Sequence, residues 1–291
     1  MTAEKIFPPI RQEYIRAPEN CETSARARDT SWAQRIFRRG AFRKFLILVS
    51  FAVLWETLAR LQNNELLLPT FSAVVRALAE GLGSGELLSK SFVSLSLLVK
   101  GYLAGIVCAF VLTSLAVSTR TGQDLLSTLT SMFNPLPPIA LLPLSLLWFG
   151  LGQGSLVFVL VHSVLWPLAL NTHAGFQSVP ETLRMTGRNY GLSGVRYIVH
   201  ILIPAALPSI LSGLKIGWAF AWRTLIAAEL VFGASSGNGG LGWFIFQNRN
   251  ELYTDKVFAG LTMVILIGLT VENLVFSSLE RVTVRRWGVQ H

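Results

Sequence analysis

Six predominantly apolar stretches recur along this chain, each near the roughly 20 residues that an α-helix needs to cross about 30 Å of hydrocarbon. They run over about 43–61, 91–118, 125–149, 153–174, 206–232 and 257–280. Backbone amides in lipid must be bonded within their own segment, so each stretch predicts a helix, and Gly and Pro inside them are tolerated. Composition agrees. AVILMFWYC residues make up 52% of the 291 and DEKR only 14%, too little charge to cover a soluble globule. The expected class is an all-α membrane protein. Residues 66–86, opening Leu66-Leu67-Leu68-Pro69-Thr70, alternate apolar and polar at helical spacing and predict an amphipathic connector at the outer surface.

The net charge of +9 raises the question of nucleic acid, and the location of the 25 Lys and Arg answers it. Ten fall in residues 1–44, which also hold five acids and three prolines and no apolar core of a secretory signal. That segment predicts a poorly ordered, solvated cytoplasmic arm, followed by a transmembrane domain over 45–288. With the N-terminus inside, 17 Lys/Arg lie on cytoplasmic segments and four outside, which places both termini in the cytoplasm. Topology thus explains the basicity, and no nucleic-acid partner is expected. Two cysteines, Cys21 and Cys108, make neither a disulfide framework nor a zinc site.

Charges inside the spans are few: Arg60, Lys100, Lys215, Arg223, Glu56, Glu229, Glu272 and Glu280. Arg60 and Glu280 sit near span ends and can snorkel; a deeper charge costs at least about 2.5–3.5 kcal/mol unless it meets a partner or a wet cavity. Lys100, Arg223 and Glu229 are therefore candidates for a translocation path. The competing explanation pairs Arg223 or Lys100 with Glu229, Glu56 or Glu272. Arg223 and Glu229 are six apart, so their partners are expected on other helices. Gly101-x3-Gly105 and Gly213-x3-Gly217 predict close helix approach, and Asn134-Pro-Leu-Pro-Pro138 with Pro143 predicts a kink in the third span. Gly233–Gly242 reads as a flexible turn before interfacial Trp243, Phe244 and Phe246.

No Gly-Lys dipeptide occurs, so a G-x-x-x-x-G-K-[ST] phosphate cradle is absent. His162 and His173 lack metal-ligand or acid-paired spacing and read as packing residues; no G-x-S-x-G elbow is present, and catalysis is not expected.

The loop over 175–205 carries the most information. Pro180 and Glu181 suit a first helical turn, and Gly191 suits a helix end with positive φ. A second short helix is expected from about Ser193 toward Pro204. Arg184, Arg188 and Tyr190 are expected to project into the cytoplasm. Gly191, nine residues, Ile201, one residue, Ile203-Pro204 resembles the EAA loop of ABC-importer permeases, E-A-A-x3-G-x9-I-x-L-P. Leu68-Pro69, Ser94-Leu95 before Lys100-Gly101, Pro137-Pro138 to Pro143, Trp148-Phe-Gly-Leu-Gly152, Asn171-Thr172, Pro204-Ala-Ala-Leu-Pro208, Ala228-Glu229, Thr254-Asp255 and Glu280-Arg281 are similar to its nitrate/sulfonate/taurine branch. The resemblance covers about 45–288. The EAA triplet itself falls on Met185-Thr186-Gly187, without the acid, and Ile203 replaces the leucine.

The resemblance implies a type I ABC importer permease-like bundle of six transmembrane helices with a cytoplasmic coupling helix, in the bacterial inner membrane. It implies a homodimer of permeases, two cytoplasmic ATPase subunits that bind ATP and Mg, an extracytoplasmic solute-binding protein, and no cofactor in this chain. ATPase coupling would then fall to Glu181, Arg184, Met185, Thr186, Gly187, Arg188, Tyr190, Gly191, Leu192 and Ser193. The cargo would be a small anion such as a sulfonate, taurine or nitrate. The alternatives are an ATP-independent secondary transporter or channel, and a membrane anchor for another enzyme.

Overall fold

The computed structural model describes residues 40–232 and 239–283. The expected N-terminal arm, except its last residues, and most of the turn over 233–242 lie outside them. Two compact units divide the chain, Met1–Phe51 and Ala52–His291. In the first, the described residues are the opening turns of α1 (Gly40–Gln62), and Phe45, Ile47, Leu48 and Phe51 are exposed.

The second unit continues α1 and adds α2 (Phe71–Gly83), α3 (Glu86–Ser118), α4 (Arg120–Phe133), α5 (Leu142–Phe149) and α6 (Gln153–Gln177). There follow α7 (Glu181–Asn189), α8 (Gly194–Tyr197), α9 (Ile203–Phe232), α10 (Leu241–Asn250), α11 (Thr254–Thr270) and α12 (Ser277–Thr283). Five helical segments are long and apolar enough to cross a membrane: Phe42–Gln62, Glu86–Ser118, Gln153–Gln177, Gly194–Val231 and Thr254–Thr283. The expected third span is not a single kinked rod. Arg120–Phe133 and Pro138–Phe149 meet at 89°. Pro135, Pro137 and Pro138 remove three amide donors in four residues, and Pro137 is extended at φ −61°, ψ 125°, so no helical ladder can run through.

The amphipathic connector is α2. Thr70 caps it by accepting Ala73 N–H, and Glu56 accepts Ser72 N–H at 3.1 Å, placing a carboxylate on its positive end. Val74 and Ala77 form its buried stripe.

Helix α6 is the axis of the bundle, with α3 on one side and α9 on the other. In lipid, where apolar side chains gain little from leaving the solvent, close backbone approach matters more than greasiness. Both glycine pairs supply it. A Cβ on Gly105 would fall 2.7 Å from Val164 Cβ, and one on Gly101 would run into Leu160; from α9, a Cβ on Gly213 would fall 2.9 Å from Asn171 Cβ. Val164 is gripped from both sides, since Gly217 also faces it. Phe244 is a core residue, 4% exposed, rather than interfacial, because α10 tucks its Leu241, Phe244 and Ile245 face into the bundle.

Candidate functional site

Between α6 and α9 the chain makes a short helix and a sharp turn. Helix α7 begins at Glu181 directly after Pro180 and ends in a Schellman closure: Leu192 N–H reaches Gly187 O at 3.0 Å and Gly191 N–H reaches Arg188 O at 2.9 Å. Gly191 takes φ +72°, a left-handed conformation that a β-carbon disfavours. Ser193 then stands at the start of α8. The second helix does not stop at Pro204. Residues Gly194–Val231 form one continuous rod, and a π-helical turn over Ile198–Leu202 widens the backbone just where the Pro204 ring would press on a carbonyl one turn back.

Helix α7 is fastened at two points. Arg184 does not project outward. Its guanidinium turns back, with Nη2 donating to Phe176 O at 2.7 Å and Nε donating to Val179 O at 3.1 Å, and so satisfies carbonyls left open where α6 ends. Only 26% of its side chain is exposed, and Glu181 lies 3.9 Å from Nε. Gly187 is buried where α7 crosses the following rod; a Cβ there would lie 2.9 Å from Ile201 Cγ1 and 3.0 Å from the Tyr197 ring. Beneath, Phe176, Val179, Ile198, Leu202 and Ala206 form a small apolar cluster separate from the main core.

What this scaffold displays is unusual for a polar loop. Leu183, Met185, Tyr190 and Val195 are all exposed, Tyr190 by 81%. Glu181, Thr186, Arg188 and Ser193 are exposed among them, while Leu192 is half-buried. Arg188, Leu192, Ser193 and Tyr197 share a cleft of about 320 Å³ with Val117 and Ser118 at the end of α3.

The charges in the spans do not pair as expected. Glu56 meets Arg60 at 2.7 Å, and Glu272 meets Lys215 at 2.9 Å. Lys100 Nζ donates to Gln153 Oε1 at 3.2 Å. Glu229, 3% exposed, forms no ion pair among the described residues: Gly242 N–H donates to Oε2 at 2.8 Å, and Ser94 Oγ, 3.0 and 2.9 Å from the two carboxylate oxygens, shares its one proton between them and itself accepts Leu241 N–H at 2.9 Å. The carboxylate therefore closes the positive end of α10 and ties it to α3. Arg223 is exposed, spends Nε on the Ala219 carbonyl of its own helix and lies 5.2 Å over the Phe220 ring. No acid pairs with it among the described residues.

Three elements of this arrangement escape the sequence. Ser94 appears there only as part of a motif, the inward turn of Arg184 has no local signal, and the exposed Leu183 and Val195 look like ordinary loop residues. A carboxylate three residues before the end of an apolar span, shortly ahead of Gly239-Gly240, is the available clue to the Glu229 lock.

Comparison with known proteins converges on one group. Residues 101–288 match the family described as binding-protein-dependent transport system inner membrane component. A putative ABC transporter permease of Methanocaldococcus jannaschii is 35% identical over 76% of this chain and 83% of its own length. A putative aliphatic sulfonates transport permease of Escherichia coli is 35% identical over 52% of this chain and 56% of its own. A nitrate import permease of Synechocystis is 29% identical over 77% and 82%. The helical bundle, the apolar spans and these matches together make the chain a multi-pass membrane protein and a transport subunit rather than an enzyme; it belongs to the binding-protein-dependent ABC importer permeases, in their nitrate/sulfonate/taurine branch.

Proposed function

We propose that this chain forms the translocation path of an ATP-driven importer for a small oxyanion, working as a homodimer with two cytoplasmic ATPase subunits and an external solute-binding protein. The observation that carries the coupling is the exposed set Leu183, Met185 and Tyr190 on a helix held rigidly from behind. Exposed apolar and aromatic side chains beside an arginine have the make-up of an interface core. Glu181, Met185, Thr186, Arg188, Tyr190 and Ser193 would face the ATPase. Arg184, Gly187, Gly191 and Leu192 would hold that face in place.

A rigid helix fused through one turn to the Gly194–Val231 rod transmits a push without absorbing it, so closure of an ATPase pair would rock α9 against α6 between two packed states. ATP and Mg would belong to the ATPase alone. The 17-to-four distribution of Lys and Arg supports a cytoplasmic position for α7 and both termini. Lys100 and Arg223 would present positive charge to the cargo, with Glu229 as part of the wall that positions α10. Sulfonate, taurine and nitrate, the cargoes in the relatives' names, are all small and bear an oxyanion.

Gly191→Val tests the coupling. A β-branched residue at φ +72° is strained, so the variant should insert in the membrane and lose co-purification with the ATPase. Undiminished co-purification would remove the coupling role. Uptake into proteoliposomes that proceeds equally with and without ATP would instead establish a secondary transporter or channel.

A further inference from the structure

The cleft of about 320 Å³ between the end of α3 and the α7–α8 turn joins two kinds of surface. Ser118, Arg188 and Ser193 are exposed along it, so it is open to its surroundings, and none of the described residues that line it is acidic. Its donors are unspent. Arg184, one turn earlier on α7, gives its guanidinium to the carbonyls of Phe176 and Val179. Among the described residues Arg188 makes no such bond and no ion pair, Ser193 opens α8 without a capping bond from its hydroxyl, and the buried Tyr197 hydroxyl has no partner. A buried hydroxyl left unpaired is costly, and the guanidinium beside it offers five N–H donors in a planar fork. Together they suit an anion that carries several acceptor oxygens.

An apolar track leads to the cleft. Val99, Leu103, Val107, Val111 and Leu115 are all exposed at i,i+4 spacing on α3, and Ser118 follows Leu115 by one turn. They stand two residues out of step with the buried Gly101, Gly105 and Ala109, so at about 100° per residue they occupy the face of α3 turned away from α6. From Leu103 to Leu115 the track runs about 18 Å, close to half of a hydrocarbon core of about 30 Å. An exposed apolar track that ends at an unmatched arginine offers places for both halves of an amphipathic anion.

We propose that this cleft binds the headgroup of an anionic phospholipid, its phosphate on Arg188, Ser193 and Tyr197 and an acyl chain along the α3 track. A zwitterionic headgroup would bring its own cation into a cleft with no acid to receive it. Free phosphate shares the head chemistry but leaves the track unused, and a carboxylate from an ATPase would fill little of the volume; the track decides for lipid. The bound lipid would tie the α7–α8 turn to the end of α3. It gives Arg188 and Ser193 a second partner beyond the importer function above, and the site does not depend on that function.

Native mass spectrometry of the full chain in detergent, titrated with dioctanoyl phosphatidylglycerol, tests the site. Saturable binding is expected, with dioctanoyl phosphatidylcholine much weaker. Arg188→Ala should weaken the Kd by about tenfold or more, the worth of a charge-assisted hydrogen bond. Tyr197→Phe keeps the ring against Gly187 and removes only the hydroxyl, so it should weaken the Kd several-fold without lowering the melting temperature. Arg196→Ala, at an exposed arginine outside the cleft, should leave the Kd unchanged. Equal weakening by Arg196→Ala and Arg188→Ala would reduce the binding to diffuse attraction by a basic chain and overturn the inference. An unchanged Kd in Arg188→Ala overturns it as well, and with lost ATPase co-purification assigns that guanidinium to the ATPase alone. Displacement of the lipid by millimolar inorganic phosphate would overturn it by giving the cleft to a free anion. Binding that behaves as expected in a chain with which no ATPase co-purifies would uphold the site while removing the coupling role.

Discussion

Near the two ends of the Gly194–Val231 rod, opposite charges close helix termini in the same way. Near its beginning, Arg184 donates to carbonyls left open at the end of α6; near its finish, Glu229 accepts the Gly242 amide at the start of α10 and the Ser94 hydroxyl of α3. Both exploit the unsatisfied groups and partial charge of a helix terminus. They differ in surroundings. Glu229 is 3% exposed and bonded through Ser94 to a third helix, whereas 26% of the Arg184 side chain stays open and its bonds are all to the adjoining segment. A buried charge with every acceptor used behaves as a lock, and a half-open one with local bonds as a latch. A permease that turns a push on α7 into rotation of the rod would need a fixed far end and a yielding near end.

That contrast is open to measurement. Glu229→Ala should have the largest effect, stranding Ser94 and the first amides of α10 in a dry site at about 3 kcal/mol or more, read as a fall in melting temperature in detergent; Glu229→Gln should recover part of it. Gly187→Val comes next. Its side chain would meet Ile201 and the Tyr197 ring, and overpacking of about 1–3 kcal/mol should lift α7, lowering both melting temperature and ATPase co-purification. Arg184→Ala should cost least in stability, about 1 kcal/mol because water reaches the freed carbonyls, but should expose the α6–α7 junction to limited proteolysis. A melting temperature lowered more by Arg184→Ala than by Glu229→Ala would abolish the distinction between lock and latch.

Several features are legible in the sequence itself. The spans, the amphipathic α2, both glycine pairs and the positive φ at Gly191 follow from residue type and spacing, because each depends on period, length or a single backbone constraint. The order of motifs along 45–288 carried the family. The prolines between Asn134 and Pro138 announced a break, although its size, 89°, depends on which neighbours receive the two arms. The π-helical turn that lets the rod pass Pro204 was not legible, since a proline there reads as a stop.

Charge partners were the least legible. Glu272 belongs to Lys215 rather than to Arg223 or Lys100, and Glu229 to one backbone amide, that of Gly242, and a serine 135 residues away. The sequence by itself determined which segments are helical, which can cross a membrane, where the chain must turn and which family it joins, since these depend on local periodicity and on words in a fixed order. Tertiary structure alone decided which charges are spent on helix ends and which, like Arg223, remain available, because a hydrogen bond between distant segments depends on how the helices pack.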